Sequence, residues 1–140
     1  MKASLFLLPS LLIVGLSAWM PPAAIAGSET CKNVDIRLKN GTSREMKVTK
    51  LQYLEPDKNQ YKTETGVFGI DGEQNISVGR TFTIAKRDLE KVNNEEIHFV
   101  VTYRLRADTG GYSLPILQQM RNFKCTSNML KEVVLTEQKI

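Results

Sequence analysis

The chain has 140 residues, with 19 Lys or Arg against 15 Asp or Glu and a formal net charge of +4. That length excludes a two-domain enzyme and the Rossmann and TIM-barrel architectures, and it leaves room for one domain. A hydrophobic content of 41% with so modest a charge excludes a disordered chain.

The N-terminus reads as a secretory signal peptide. Lys2 supplies the positive start, and an apolar run follows from Leu5 to Met20. Pro21 and Pro22 then break any helix, and Ala24-Ile25-Ala26 fits the small-x-small cleavage pattern. Pro9 interrupts the run, which is shorter than the ~20 residues that span a bilayer, so cleavage after Ala26 is expected rather than anchoring. Gly27 follows the cut, so the lipoprotein cysteine is missing there. The expected organisation is a cleaved segment over 1–26 and a single domain over 27–140, exported to a periplasm or the extracellular space. Lys2 lies in the cleaved part, so the mature balance is +3.

Cys31 and Cys125 are the only cysteines. In an oxidising compartment two cysteines have one intramolecular solution, a disulfide closing a loop of about 95 residues. A redox role has no support, because there is no Cys-x-x-Cys.

Between them the chain alternates in short runs. Val34, Ile36 and Leu38 alternate with Asp35, Arg37 and Lys39, the period-two mark of a strand with one buried face. Asn40-Gly41-Thr42-Ser43 reads as a turn. In the next strand Met46 and Val48 share one parity and Leu51 and Tyr53 the other, which predicts a bulge near Thr49-Lys50. Glu55 to Asn59 is a turn, Gln60 to Glu64 a returning strand, and Gly66 to Glu73 a glycine-rich loop. Ile76 and Val78 form a short strand. Arg80 to Lys86 carries Phe82 and Ile84 on one face. Asp88 is expected to cap a single helical turn over Leu89 to Val92. Asn93-Asn94 is the next turn.

The strongest pattern is Ile97, Phe99, Val101, Tyr103 and Leu105 alternating with His98, Val100, Thr102, Arg104 and Arg106, a central strand. Asp108 to Gly111 closes it as a hairpin-type loop. Tyr112 to Cys125 is ambiguous between strand and helix, with Pro115 favouring an edge strand or a break. Met129 to Leu135 is the last strand. The fold class expected from these runs is all-β: a seven- or eight-stranded antiparallel sandwich, immunoglobulin-like by analogy, with one disulfide; a small closed barrel is the alternative.

Catalytic sets are missing. His98 is the only histidine, so any Ser-His-Asp or Cys-His mechanism would have to use it, and its place on the polar face of the strand reads as a solvated side chain. One histidine and two bridged cysteines do not make a usual zinc site. Asp57-Lys58-Asn59 and Asp71-Gly72-Glu73 carry oxygen ligands without the twelve-residue calcium-loop pattern. Glu95 and Glu96 point to opposite faces if extended. The glycine-rich stretches lack the spacing and lysine of a phosphate loop, and nothing matches a nucleic-acid-binding motif. Asn40-Gly41-Thr42 and Asn75-Ile76-Ser77 match the glycosylation acceptor pattern and are read as turn residues. Catalytic residues, metal ligands and cofactors are therefore all expected to be none.

The expected function is that of a small exported, non-enzymatic binding module of immunity, inhibitor or accessory type. It would act through loops or strand edges on a protein partner at the envelope or outside the cell. Arg104, Arg106 and Tyr112, around the hairpin after the strongest strand, are the candidate contacts. Tyr61 and Tyr112, beside loops, are the tyrosines placed to be exposed, whereas Tyr103 belongs to the buried face. The alternative is a membrane-active or lipid-binding protein, in which Val67, Phe68 and Ile70 dip into a bilayer interface.

Overall fold

The structure is a computed structural model and describes residues 29–137. The expected export segment, 1–26, lies outside the described residues. Ten strands occur in chain order: β1 (Cys31–Asn40), β2 (Met46–Glu55), β3 (Gln60–Thr63), β4 (Gln74–Ile76), β5 (Thr81–Leu89), β6 (Glu96–Ile97), β7 (Phe99–Leu105), β8 (Ile116–Gln119), β9 (Phe123–Lys124) and β10 (Leu130–Leu135). Among the described residues there is no helix.

Two sheets carry the fold. One has the order β10-β1-β5, the other β3-β2-β7-β8 with β4 also on β2, and β6 pairs with β9 in a small ribbon. A single core unites them. Val34, Ile36, Leu38, Ile84 and Val133 of the first sheet pack with Met46, Val48, Leu51, Tyr53, Val101 and Tyr103 of the second. The period-two residues of the sequence are the ones inside, because in a pleated strand alternate side chains share a face. The result is a sandwich-like all-β domain.

The parity switch in β2 is a bulge. Val48 pairs with Tyr103 and Lys50 with Thr102, so Thr49 is the extra residue, and its hydroxyl donates to the Thr102 carbonyl at 3.3 Å. The inserted residue rotates the strand so that Leu51 and Tyr53 rejoin the core.

Two further irregularities lie between β1 and β5. Asn33 and Lys86 adopt positive φ, 55° and 52°, where the register slips. Each loses its ladder partner, and the facing aspartate supplies one: Asn33 N donates to Asp88 Oδ1 at 3.0 Å and Lys86 N to Asp35 Oδ1 at 2.8 Å. Asp88 therefore does not cap a helical turn. Strand β5 runs on through Leu89, because a cross-strand amide competes for the same carboxylate oxygen.

Four other expectations need correction. The pairing is not wholly antiparallel: β1 and β10 run parallel, from Asp35↔Leu130 to Asn40↔Leu135. The strands number ten rather than seven or eight, the unexpected pieces being β6 and β9, each of two residues. The short strand around Ile76 ends there, leaving Val78 outside it and 53% exposed. The strongest run is also divided at His98. Glu96–Ile97 pairs with β9, Phe99–Leu105 with β8, and Leu54 N still donates to the His98 carbonyl at 3.3 Å. Strands β8 and β9 are thus two parts of one antiparallel ladder, interrupted around Asn122. Within Tyr112 to Cys125, Ile116–Gln119 and Phe123–Lys124 are therefore strand and none of the stretch is helix.

The disulfide is present between Cys31 and Cys125, with Cα atoms 6.2 Å apart and a sequence separation of 94. It ties the start of β1 to the ribbon β6–β9, and both cysteines are fully buried.

Asn40 is a buried polar keystone. Its Nδ2 donates to the carbonyls of Arg44 and Ile76, both at 2.8 Å, while Oδ1 accepts from Thr42 N at 2.9 Å and Thr42 Oγ1 at 2.7 Å. One side chain thereby saturates the turn after β1 and fastens it to β4. Gly41 beside it donates to Leu135 O at 2.8 Å, and a Cβ there would stand 2.9 Å from Val134 Cγ1, so only glycine allows this approach.

The largest core side chains, Tyr53 and Tyr103, are amphipathic. The Tyr53 hydroxyl accepts from Glu90 N at 3.1 Å, and the Tyr103 hydroxyl donates to Gln118 Oε1 at 3.1 Å. Burial pushes both phenols up to about 12.

Candidate functional site

The hairpin after β7 brings Arg106 and Tyr112 together as a bridged pair. Both reach Glu45: the Tyr112 hydroxyl donates to Oε1 at 2.8 Å and Arg106 Nη1 lies 3.4 Å from the same oxygen. That hydrogen bond holds the Tyr112 phenol above its usual range. Lys47 Nζ stands 4.3 Å above the Tyr112 ring and 3.1 Å from Glu73 Oε2. Arg104 lies opposite Lys47 in the register and is exposed. The three candidate contact residues thus share one end of the second sheet, and Arg106 and Tyr112 are engaged by an acid that sequence reasoning passed over.

The loop 66–73 divides its apolar residues. Val67 and Phe68 pack against the core, Phe68 with its ring 6.2 Å from that of Phe82, while Ile70 is fully exposed.

His98 is not solvated: it is only 7% exposed. Its Nε2 lies 2.7 Å from the Tyr61 hydroxyl and its Nδ1 3.1 Å from Asn122 Oδ1. Asn122 Oδ1 only accepts, so Nδ1 carries a proton, and in the neutral ring Nε2 then accepts from the Tyr61 hydroxyl. The Tyr61 ring sits edge-on to the imidazole at 5.5 Å and is itself 46% exposed. It forms one wall of a groove of about 340 Å³ on the outer face of the second sheet, completed by Gln52, Val100, Leu117 and Gln119. The signal that would have found this was the sheet pairing, which sets β3, β2, β7 and β8 side by side. Single-strand periodicity carries none of it.

The two sides of the sandwich differ. Between β3 and β5 the edges are laced by ion pairs: Lys62 with Glu90, and Arg87 with Glu64, where Arg87 Nε donates to Glu64 Oε2 at 2.9 Å. Between β8 and β10 there is instead a groove of about 600 Å³, lined among others by Gln118, Met120, Arg121, Lys131 and Val134. Gln118 spans it, its Nε2 donating to Val134 O at 3.1 Å and its Oε1 accepting from Thr136 N at 3.0 Å. Strands β8 and β10 each end their sheet.

Their free edges follow from the ladders. Met120 N donates to Phe99 O at 2.8 Å and Val101 faces Gln118, so the even-numbered residues of β8 bond β7, and the backbone groups of Leu117 and Gln119 face outward. Asp35 N donates to Met129 O and Gly41 N to Leu135 O, so the odd-numbered residues of β10 bond β1, and those of Leu130 and Glu132 face outward.

Among the described residues no group of three or more His, Cys, Asp or Glu side chains is arranged to hold a metal ion. Searches of protein-family models, curated proteins and solved structures find no match to this chain.

Proposed function

We propose that this protein is an exported, non-enzymatic binding module of immunoglobulin-like sandwich architecture. Its partner is a protein of the cell envelope or extracellular space, engaged through a strand edge. The export signal read over 1–26 and the disulfide both support an oxidising compartment outside the cytoplasm. The observation that carries the binding reading is the asymmetry of the sandwich. One side is closed by ion pairs, and the other leaves two strand edges bordering a groove of about 600 Å³. Unpaired edge N–H and C=O groups are templates for a further strand. Here Leu117, Gln119, Leu130 and Glu132 present them. Arg104, Arg106 and Tyr112 lie at the end of the same second sheet and extend the contact surface beyond β8. The membrane-contact alternative rests on Ile70 alone, because Val67 and Phe68 lie against the core.

The test is capture from envelope and secreted fractions with the oxidised protein and with two edge variants, Leu117→Pro and Glu132→Pro. Each removes one outward amide donor and no ladder bond, and proline is tolerated on edges. The reading expects one stoichiometric protein partner, lost with at least one variant while far-ultraviolet circular dichroism stays unchanged. Capture that survives both variants would refute the strand-edge mode, and the absence of any protein partner would refute the reading as a whole.

A further inference from the structure

We propose that the groove on the outer face of the second sheet is a binding site for a neutral carbohydrate, with Tyr61 as its platform. The site adjoins the β8–β10 opening, sharing Gln119 with its groove and Leu117 with the β8 edge, but it uses their side chains on the sheet face and not the backbone edge of β8, so its test does not depend on the protein-partner reading.

Three observations carry it. First, the lining is Gln52, Tyr61, Val100, Leu117 and Gln119, with no acid and no strong base, in a chain where 24% of residues are charged. A site without counter-charge rejects ions, since nothing there replaces the water stripped from an ion. Second, the apolar and polar parts are arranged for a ring with hydroxyls at its rim. Val100 is the floor, 8% exposed, and Leu117, 63% exposed, is a wall. The two glutamines flank them with amides that can both donate and accept, as a hydroxyl can. Gln52 Nε2 donates to Thr63 Oγ1 at 3.2 Å, which leaves its carbonyl oxygen to the groove. Gln119 makes no side-chain hydrogen bond among the described residues.

Third, the platform is held in place. An exposed tyrosine on a four-residue edge strand would ordinarily sample several rotamers. Tyr61 is instead fixed through its hydroxyl to His98, and His98 through its other nitrogen to Asn122. A histidine withdrawn from water and satisfied on both nitrogens makes a rigid anchor. It removes rotamer entropy from the ring before a ligand arrives, which raises affinity without adding a contact. The volume of about 340 Å³ lies at the small end of ligand sites, which suits one or two sugar rings rather than a folded partner.

The experiment titrates the oxidised protein with maltotriose, cellotriose and triacetylchitotriose, read by calorimetry and by the NMR signals of the glutamine side-chain amides and tyrosine rings. The proposal expects at least one of these sugars to saturate with a Kd of about 1 mM or tighter, shifting the Gln52, Gln119 and Tyr61 signals. Tyr61→Ala should weaken binding at least about tenfold, and Tyr61→Phe, which keeps the ring but frees it from His98, by about three- to fivefold. Leu117→Ala, at an exposed position that leaves the fold intact, should also weaken binding severalfold. No saturation by any of the three up to about 10 mM would overturn the proposal. So would binding unchanged in both Tyr61→Ala and Leu117→Ala, or tighter binding of an acidic sugar such as trigalacturonate than of every neutral one.

Discussion

Asn40 offers the sharpest test of how this fold is held together. Replacing it by alanine removes one side-chain amide and strands its four partners: the carbonyls of Arg44 and Ile76, and the Thr42 amide and hydroxyl. A net hydrogen bond contributes about 1 kcal/mol, and a buried group left unpaired costs about 1–3 kcal/mol. Thr42 Oγ1 keeps the Arg44 carbonyl at 2.9 Å as a partner, and Arg44 O is only partly buried. The loss then concentrates on Thr42 N and Ile76 O, and a destabilisation of about 3–4 kcal/mol is expected. That is a large share of a domain stability of about 5–15 kcal/mol. Urea unfolding of the oxidised protein, with far-ultraviolet circular dichroism as readout, should show the midpoint falling by roughly 2–3 M with an unchanged slope. Asn40→Asp supplies an internal check. It keeps the acceptor for Thr42 but turns a carboxylate toward two carbonyl oxygens, so its folded pKa rises. The folded state then holds the proton more tightly, and the variant should be more stable at pH 4 than at pH 7 relative to the wild type, losing stability as pH rises through the carboxylate range. A loss below about 1 kcal/mol for Asn40→Ala, or a pH-independent Asn40→Asp, would mean that water replaces the amide and that Asn40 is no keystone.

Three further expectations follow from the structure. Removing the disulfide with Cys31→Ser and Cys125→Ser should cost roughly 4–5 kcal/mol, the loop-entropy value for a closure near 100 residues; a urea midpoint that does not change on reduction would contradict it. Arg87→Met should cost roughly 2–3 kcal/mol by leaving the buried Glu64 without its counter-charge, a figure reduced from the fully buried case because the Arg87 side chain is 29% exposed. The companion Glu64→Gln should restore much of that loss, and a double variant no better than Arg87→Met would show that the carboxylate is not the cause. The two core phenols also set an alkaline limit. Burial raises Tyr53 and Tyr103 to about 12, above the ordinary phenol value of about 10. Between these values the unfolded chain binds fewer protons than the folded one, so stability is complete below about pH 10 and falls as pH rises toward 12. Urea midpoints at pH 8, 10.5 and 11.5 would show the decline, and an ultraviolet titration in which all four tyrosines ionise together near 10 would rule it out.

Much of the fold was legible in the sequence because burial in a sheet is written locally. The alternation of Val34, Ile36 and Leu38, and of Ile97 through Leu105, is the pleat itself, and every one of those residues is buried. The parity switch after Val48 announced the bulge at Thr49 for the same reason: an extra residue is the only way for Leu51 and Tyr53 to return to the core. The two cysteines, in an oxidising compartment, had one partner each. What those patterns do not contain is which strands are neighbours. Hydrophobic period is the same for parallel and antiparallel partners, so the parallel pairing of β1 with β10 was decided by the tertiary structure alone. So were the places where long-range partners override local signals. Asp88 answers the amide of Asn33, 55 residues away, instead of starting a helical turn. His98, polar by position, is drawn inside by Tyr61 and Asn122, 37 and 24 residues distant. Gln118 reads as an ordinary edge residue until β10 comes to lie across from it. Sequence determined the strands and their inward faces through local sterics and burial. Only the assembled sheets decided which edges stay open and which side chains meet, because those contacts join residues whose spacing along the chain carries no periodic signal.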